Sequence, residues 1–350
     1  MKKLFKMVIL ALIAVLCVVA AVGCAPSNDG GKQGLQIMKY TGDDYYTVYG
    51  YVGEESVTTL NLEEEAKKLS EEKGVEVKIG RIKTNSFNGN DTITELIIPQ
   101  TVEVMDKGAL AGMKKLQKLT VPFVGKCFEA DSFYAETEKR DKAVDSERTL
   151  GYLFGEQAYE LGTQIVQHYD AENTIATYLP LSLTEVTVNP KTGYKLPMYA
   201  FSGNTRIRKV NLNDKVTVIG QSAFENCTML STITIPKTVE IIRDYAFSGC
   251  VNIKDATFSF EANSTLKTIG EGSFYGVGLN NLVLPDSVTS IGVRCFKESS
   301  LISITLPASI TKIPAYAFFN CADLETVNGF DLSKTEDIGA YAFYGCDSLA

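Results

Sequence analysis

The sequence predicts a repeat solenoid, a strand-rich coil of about 23 residues per turn with little helix. Two observations predict it. The same apolar residues recur in the same order, and each set ends at an aromatic anchor that usually follows Ala: Phe201, Phe224, Phe247, Phe274, Phe296, Phe318 and Phe343. The spacings between the anchors are 23, 23, 27, 22, 22 and 25 residues. Self-similarity at such a period indicates stacked structural repeats.

One repeat shows how the coil is built. Its fixed points are Leu230, Ile233, Ile235, Pro236, Val239, Ile242, Ala246, Phe247 and Cys250. Ile233 and Ile235 lie on the same side of a strand, because side chains alternate along a strand. Pro236 ends the strand, since it has no N–H to donate. Val239–Ile242 forms a second short strand, and stacking the coils buries a continuous apolar column.

The array is predicted to cover residues 81–350, with an insertion at about 134–179 and an incomplete last repeat. Phe87 and Leu110 are 23 residues apart, and Phe133 falls 23 further on, although its surroundings match the repeat poorly. The 68 residues from Phe133 to Phe201 equal one repeat plus about 45 inserted residues. Residues 255–264 and 329–334 also depart from the pattern. Leu349 is expected to open a further strand, so the chain looks truncated.

The first 23 residues are typical of an export signal. Lys2, Lys3 and Lys6 precede the uncharged stretch 7–23, and Ala21-Val22-Gly23-Cys24 has the form of a bacterial lipobox. We therefore expect Cys24 to carry diacylglycerol after cleavage, which places the protein at the cell surface. A plain cleaved signal and an uncleaved anchor are the alternatives. Residues 24–34 are small, polar and Gly-rich, as in a flexible tether.

Residues 35–80 are predicted to form an N-terminal cap with one helix, residues 64–73, whose charges face solvent. At the other end of the array no polar cap follows the last repeat, and an exposed last coil is prone to edge pairing.

Composition excludes several functions. The chain of 350 residues has 34 Lys and Arg, 42 Asp and Glu, one His, no Trp and a net charge of −8. A single His cannot build a multi-histidine metal site, so no metal or cofactor is predicted. Cleavage before Cys24 would remove three Lys and change the charge to −11, which disfavours nucleic acid as a partner.

The repeat L-x-x-I-x-I-P-x-x-V-x-x-I-x-x-x-A-F-x-x-C resembles the BspA-like bacterial leucine-rich-repeat family over roughly residues 75–350. Residues 150–155, LGYLFG, with the later PLSLTEV at 180–186, are similar to a block that members often carry inside one repeat. The resemblance implies an exported, surface-exposed, non-enzymatic protein that engages host matrix proteins, other cells or glycans.

A recurring Cys follows four of the seven anchors by three residues, at Cys227, Cys250, Cys321 and Cys346. Small buried thiols between stacked coils are the favoured interpretation. A disulfide between Cys227 and Cys250 remains open, because coil spacing would bring the two together.

Outward strand positions are the favoured ligand site. Stacked in register they predict a continuous polar face, and its candidate binding residues are Lys209, Asn211, Thr232, Thr234, Asn281, Ser303 and Thr305. A purely hydrophilic solvent face is the alternative. A second stripe lies two residues before the anchors, at Tyr199, Tyr245, Tyr316 and Tyr341. These Tyr either stack on sugars or act as half-buried spacers. The insertion is a third candidate.

We therefore expect a surface adhesion protein that binds a protein or a polysaccharide, held to the membrane through Cys24. An envelope scaffold that organises partners of the same cell is the alternative. Cys127 and His168 form the only catalytic pair the composition permits, and a Cys–His hydrolase in the insertion is a distant alternative. Ligand identity and oligomeric state do not follow from the sequence.

Overall fold

The computed structural model of the chain describes residues 33–53, 56–128, 145–329 and 337–349. The chain divides into two units, residues 1–34 and residues 35–350. Apart from residues 33 and 34, all described residues belong to the second unit. Cys24, the export signal and Phe133 lie outside the described residues.

In the described residues, 23 strands and two helices are numbered in chain order. The first part of the chain has β1 (Gly34–Met38), β2 (Tyr46–Val52), β3 (Thr59–Asn61), α1 (Leu62–Lys73), β4 (Ile79–Ile82), β5 (Glu95–Ile97), β6 (Val104–Met105), β7 (Lys118–Val121), α2 (Leu150–Phe154), β8 (Gly162–His168) and β9 (Thr174–Pro180). The second part has β10 (Glu185–Val188), β11 (Tyr194–Leu196), β12 (Lys209–Leu212), β13 (Val216–Ile219), β14 (Thr232–Ile235), β15 (Ile241–Ile242), β16 (Phe258–Phe260), β17 (Thr268–Ile269), β18 (Asn281–Val283), β19 (Ser290–Ile291), β20 (Ser303–Thr305), β21 (Lys312–Ile313), β22 (Thr326–Asn328) and β23 (Asp337–Ile338).

The predicted fold class is confirmed: the protein is a β-solenoid of about ten turns, each about 23 residues long. The first stack of strands consists of a seven-stranded sheet in the order β16-β14-β12-β10-β7-β5-β3 and a three-stranded sheet β18-β20-β22. The second stack consists of β1-β2-β4-β6, β11-β13-β15-β17-β19 and β21-β23. Pairing between coils is parallel, as in Lys209↔Thr232 and Val210↔Ile233.

Side chains of the first stack alternate as predicted. Ile233 and Ile235 are fully buried, while Thr234 between them is exposed. Strand β14 ends at Ile235, directly before Pro236, whose carbonyl accepts the N–H of Val239 at 3.1 Å. Proline therefore ends the strand and starts the turn that leads to the second stack.

The anchor Phe rings form one continuous stack. Rings of consecutive coils from Phe201 to Phe343 lie 5.1, 5.1, 5.5, 5.7, 5.3 and 5.3 Å apart between centroids, with planes within 15° of parallel. The spacing is close to the separation of about 4.8 Å between paired strands. The ring stack and the strand pairing therefore share one repeat distance along the solenoid.

The turn that carries each anchor forms its own ladder between coils. In one coil Ser222, Phe224 and Asn226 donate their N–H groups to the carbonyls of Asp244, Ala246 and Ser248, at 2.9, 2.8 and 2.7 Å. The other anchor turns in the second half of the chain repeat this pattern. Backbone groups that a buried turn would otherwise leave unpaired are thereby satisfied.

Two left-handed residues flank every described anchor, a regularity that the sequence analysis missed. The residue two before the anchor has φ between 52° and 69°: Asn85, Gly108, Tyr199, Ser222, Tyr245, Gly272, Arg294, Tyr316 and Tyr341. The residue two after it has φ between 55° and 80°: Gly89, Gly112, Gly203, Asn226, Gly249, Gly276, Glu298, Asn320 and Gly345. Gly and Asn adopt this conformation at the lowest cost, so the column of Gly and Asn after the anchors was the available signal.

Helix α2, the LGYLF part of the insertion, takes the place of an anchor turn. Leu110 donates its N–H to the carbonyl of Leu153 at 2.8 Å, and Leu150 donates to the carbonyl of Ala200 at 2.8 Å. Phe154 is fully buried in the core. The helix thus closes the coil between the anchors Leu110 and Phe201.

The β8–β9 hairpin is fastened to this coil by a buried amide. The side chain of Gln167 is fully buried, accepts the N–H of Gly151 at 2.7 Å and donates to the carbonyl of Ser202 at 3.2 Å. A Cβ on Gly151 would lie 2.1 Å from Oγ1 of Thr177, so only glycine fits between helix and hairpin. The boundaries 134–179 stay a prediction; most of the hairpin lies within them.

The helix predicted over residues 64–73 is confirmed as α1, which begins two residues earlier. Asn61 caps it by accepting the N–H of Glu63 at 3.0 Å, and Gly74 ends it with φ 65°. Leu62 and Ala66 face the core, while Glu63 and Glu64 are exposed. Strand β3 continues the first stack through Leu60↔Leu96. The limits 35–80 of the cap stay a prediction.

A pair of glycines after two anchors tests the left-handed turn. Gly203 and Gly276 both have left-handed φ, 68° and 62°, but a Cβ on Gly203 would lie 2.4 Å from the carbonyl oxygen of Val166, whereas none lies within 4 Å at Gly276. We expect Gly276→Ala to lower the free energy of unfolding by about 1 kcal/mol, the cost of the left-handed conformation. Gly203→Ala should lower it by clearly more, because the hairpin backbone must also shift. Denaturant unfolding measures both, and equal losses would contradict this account.

Candidate binding surface

The seven predicted ligand-binding residues all lie on the first stack, but in two groups. Lys209, Asn211, Thr232 and Thr234 are on β12 and β14 of the seven-stranded sheet; Asn281, Ser303 and Thr305 are on β18 and β20 of the three-stranded sheet. The predicted continuous face is wrong at the junction, because β16 and β18 do not pair. Strand β16 lies in the 27-residue coil between Phe247 and Phe274, and β18 lies in the coil that follows it.

Charges neutralise one another on the first half of this face. Glu95, Lys118, Glu185 and Lys209 face each other in register on β5, β7, β10 and β12, so acids and bases alternate. Lys209 Nζ lies 2.9 Å from the Glu185 carboxylate, which also accepts from Asn211 Nδ2 at 2.8 Å. Partial burial alone would raise the pKa of Glu185, but these bonds outweigh it and hold that pKa below its ordinary value. Lys209 and Asn211 therefore already have partners.

The second half of the face, from β14 to β22, carries hydroxyl and amide groups without charge on its outward strand positions. Thr234 Oγ1 lies 3.2 Å from Ser259 Oγ, and Ser303 Oγ donates to Asn281 Oδ1 at 2.7 Å. Val283, with 67% of its surface exposed, stands beside them. Uncharged groups cost less to desolvate than ion pairs, which suits this half to the centre of an interface.

A groove of about 790 Å³ opens where the two sheets meet. Its lining comes from two consecutive coils: residues 258–264 on one side and residues 281–287 on the other. Asp255 bridges the coils at one end, accepting the N–H groups of Asn280 and Asn281 at 2.8 and 3.0 Å. The sequence signal for this groove was the 27-residue spacing between Phe247 and Phe274.

The predicted Tyr stripe occupies one of the two left-handed positions of the anchor turn. Tyr199 is buried, Tyr245 and Tyr316 are half-buried, and Tyr341 is 57% exposed. Tyr316 and Tyr341 stack at 5.3 Å between ring centroids. Tyr245 donates its hydroxyl to Glu271 at 2.8 Å. The stripe is therefore mostly packed against its neighbours, with its exposed end at Tyr341.

A second aromatic column, which the sequence analysis missed, lies one residue after the anchors. Phe319 and Tyr344 stack at 5.2 Å, and Lys297 Nζ lies 5.2 Å from the Phe319 ring and 5.5 Å from the Tyr275 ring. With the stripe it forms an aromatic and cationic patch over the last described coils. The same repeat spacing could have revealed it.

The recurring thiols form the predicted ladder, in which Cys227, Cys250 and Cys321 are buried and Cys346 is half-buried, and these four thiols are not in disulfides. Cys227, Cys250, Cys321 and Cys346 donate to the carbonyls of Phe201, Phe224, Phe296 and Phe318, at 2.9–3.0 Å. Burial raises the pKa of Cys227 and Cys250 above the ordinary thiol value, and raises that of Cys346 to about 11. The thiols stay protonated near neutral pH, which suits packing rather than nucleophilic chemistry.

Cys127 and His168 lie in different surroundings. Cys127 forms an isolated bridge with Val104 and lines a cavity of about 440 Å³ that also contains Lys78 and Lys191. His168 ends β8, and its ring lies 6.4 Å from that of Tyr199.

Two further features are absent from the described ranges. Within residues 33–53, 56–128, 145–329 and 337–349, no group of three or more His, Cys, Asp or Glu side chains is placed to hold a metal ion. Within the same ranges no helix is both long and apolar enough to cross a membrane.

The coil, its buried Leu, Ile and Val positions and its stacked Phe define a bacterial leucine-rich-repeat solenoid. The chain belongs to the BspA type leucine rich repeat family, whose sequence profile matches it in six copies over residues 65–140, 177–263 and 258–350. This match confirms the predicted resemblance. Residues 141–176, which separate two of the matched ranges, fall within the predicted insertion.

The solved structures that match the chain include several leucine-rich-repeat proteins. A leucine rich repeat protein of T. pallidum is 28% identical, covering 47% of this chain and 78% of that chain, with a TM-score of 0.42. A leucine-rich repeat protein from Bacteroides ovatus is 19% identical over 92% of this chain and 81% of its own, with a TM-score of 0.42. A leucine rich cell surface protein from Faecalibacterium prausnitzii is 18% identical over 92% and 93%, with a TM-score of 0.32. Among curated proteins no match reaches significance.

Proposed function

We propose that this protein is a bacterial cell-surface binding protein that presents its solenoid to a host protein, another cell or a glycan. The observation that carries the proposal is the uncharged half of the first stack. There the exposed Thr234 and Asn281 and the half-buried Ser303 stand on a rigid frame of fully buried neighbours. A stiff frame with outward polar side chains is what repeat proteins use for recognition.

The surface location is supported by the family and by the lipobox-like sequence that ends at Cys24. In this proposal a signal peptidase removes residues 1–23, and the thiol of Cys24 carries diacylglycerol. Residues 24–34 then separate the solenoid from the membrane. The net charge of −11 after cleavage disfavours adsorption to anionic lipid, so the acyl chains supply the attachment.

Metabolic labelling with palmitate tests the anchor. We expect the wild-type chain and Cys17→Ser to be labelled and to stay with the membrane fraction, because Cys17 lies inside the cleaved segment. Cys24→Ser should lose the label and its membrane attachment. Equal labelling of Cys24→Ser and wild type would contradict the lipid site.

We propose a role in binding and not in catalysis. The separate surroundings of Cys127 and His168 and the protonated buried thiols support that choice. The envelope scaffold remains the second candidate function, favoured by the patch of stacked aromatic rings near residues 316–344. Crosslinking in intact cells separates the two, since a scaffold captures proteins of the same cell.

A binding screen tests the proposal directly. The mature protein is incubated with a panel of matrix proteins, glycans and intact cells, beside Thr234→Arg and Ser290→Arg. Thr234 is exposed on the first stack and Ser290 is exposed on the second. We expect Thr234→Arg to weaken binding at least tenfold, because a bulky charge enters the interface, and Ser290→Arg to bind as wild type. Absence of binding to every member of the panel would overturn the proposal.

A further inference from the structure

The seven-stranded and three-stranded sheets of the first stack meet at a junction, where one edge strand of each sheet has no strand partner. β16 is the last strand of the seven-stranded sheet and β18 is the first of the three-stranded sheet, although they come from consecutive coils. In the described residues each of these two strands pairs on one side only, β16 with β14 and β18 with β20. Elsewhere in the first stack, consecutive coils pair directly. An unpaired edge presents main-chain donors and acceptors to any extended chain that reaches it.

Asp255 explains why the two strands stay apart. In regular coils the first strand residue donates to a carbonyl of the coil before: Thr232 to Arg208 and Ser303 to Asn280, both at 3.0 Å. At the junction the N–H of Asn281 is bonded instead to the Asp255 carboxylate, which also accepts from Asn281 Nδ2 at 2.8 Å. The Asp255 carboxylate therefore takes the place of the backbone carbonyl that accepts this bond in regular coils. The hydrogen-bond ladder between β16 and β18 does not continue beyond it.

The backbone of β18 beyond this contact points into the groove. The N–H of Leu284 donates to Thr305 on β20, whereas the N–H of Asn281 points the other way, towards Asp255. Main-chain groups alternate sides along a strand, so those of Val283 share the direction of Asn281. Val283 is also 67% exposed. Both its main chain and its side chain are therefore available to a ligand in the groove.

The charged side chains that line the groove are all acidic. Glu261 and Asp286 are exposed at its rim, and no Lys or Arg is among its lining residues, all of which the structure describes. Ser287 Oγ is buried there without a hydrogen-bond partner in the described part of the chain. Apolar contacts come from Phe260 and Val283. The groove thus offers a ligand polar main-chain groups, apolar side chains and an acidic rim.

We propose that this groove binds an extended, basic segment of a protein partner as an added strand between β16 and β18. The free strand edges supply main-chain hydrogen bonds, Phe260 and Val283 contact alternate side chains, and the acidic rim selects Lys or Arg. The groove volume of about 790 Å³ is in the range of specific ligand sites. The inference rests on the proposed binding function and names one partner class within it: protein, not glycan.

The probe is a ten-residue capped peptide of alternating Lys and Val, a pattern that gives an extended strand one charged and one apolar face. Its first control carries N-methyl groups on alternate amides, which removes main-chain donors and keeps the charge. A second control replaces Lys by Glu. Fluorescence anisotropy at physiological salt should show the Lys–Val peptide binding at least tenfold tighter than either control. Hydrogen exchange should show protection of the Val283 amide on binding.

Matched variants of the protein locate the site. Glu261→Gln with Asp286→Asn removes the rim charge and keeps hydrogen-bonding groups, including the acceptor for the N–H of Lys237. Asp323→Asn with Glu325→Gln makes the same change at exposed carboxylates outside the groove. We expect the first variant to bind the peptide at least fivefold more weakly and the second to bind as wild type.

Several outcomes would overturn the groove site. They are no binding of the Lys–Val peptide, equal binding of its N-methylated form, or equal loss in both charge variants. If the peptide fails while the whole protein still binds a matrix protein, cells or a glycan, the groove site is wrong and the proposed function stands. If neither binds, both are wrong.

Discussion

The constraint on which the rest of the structure depends is the distance between coils at the anchor turn. Stacked Phe rings 5.1–5.7 Å apart and a ladder of backbone hydrogen bonds hold each turn on the next. Two left-handed residues, one on each side of the anchor, give the turn the shape that allows this stacking. Each residue is therefore stacked on the residue that occupies the same place in the next coil. The thiol ladder, the Tyr stripe and the in-register Glu and Lys rows all follow from this one distance.

The places where the repeat is interrupted differ from the regular coils in the groups they leave without a partner from the next coil. A regular coil satisfies its backbone groups through its neighbours, and from β5 to β12 it also pairs its charges with those of the adjacent strand. The 27-residue coil breaks that regularity, because Asp255 takes hydrogen bonds that a backbone carbonyl accepts elsewhere. The result is a groove between two unpaired strand edges. The insertion is a different interruption, since α2 restores the anchor turn and Gln167 fastens the hairpin to it.

The period of the sequence was sufficient to predict what every coil shares. It predicted the strand at Ile233 and Ile235, its end at Pro236, the buried Cys ladder and the inward Phe column. It did not predict details that belong to a single coil. The groove depends on one carboxylate that accepts main-chain N–H groups. The closure of the inserted coil by Phe154 depends on a helix that has no counterpart in the other repeats within the described residues. The left-handed residues were missed because conformation, not residue type, is what repeats at Tyr245 and Arg294.

Replacing one ring inside the Phe stack tests the central claim most directly. Phe247 is fully buried and stacks on Phe224 and Phe274 at 5.1 and 5.5 Å. We expect Phe247→Ala to reduce the free energy of unfolding by about 3–5 kcal/mol, the usual cost of emptying a buried aromatic site. Hydrogen exchange should at the same time show lost protection in the coils on both sides of residue 247, because each coil is held by its neighbours. An unchanged denaturation midpoint, or loss of protection confined to residue 247 itself, would contradict the account.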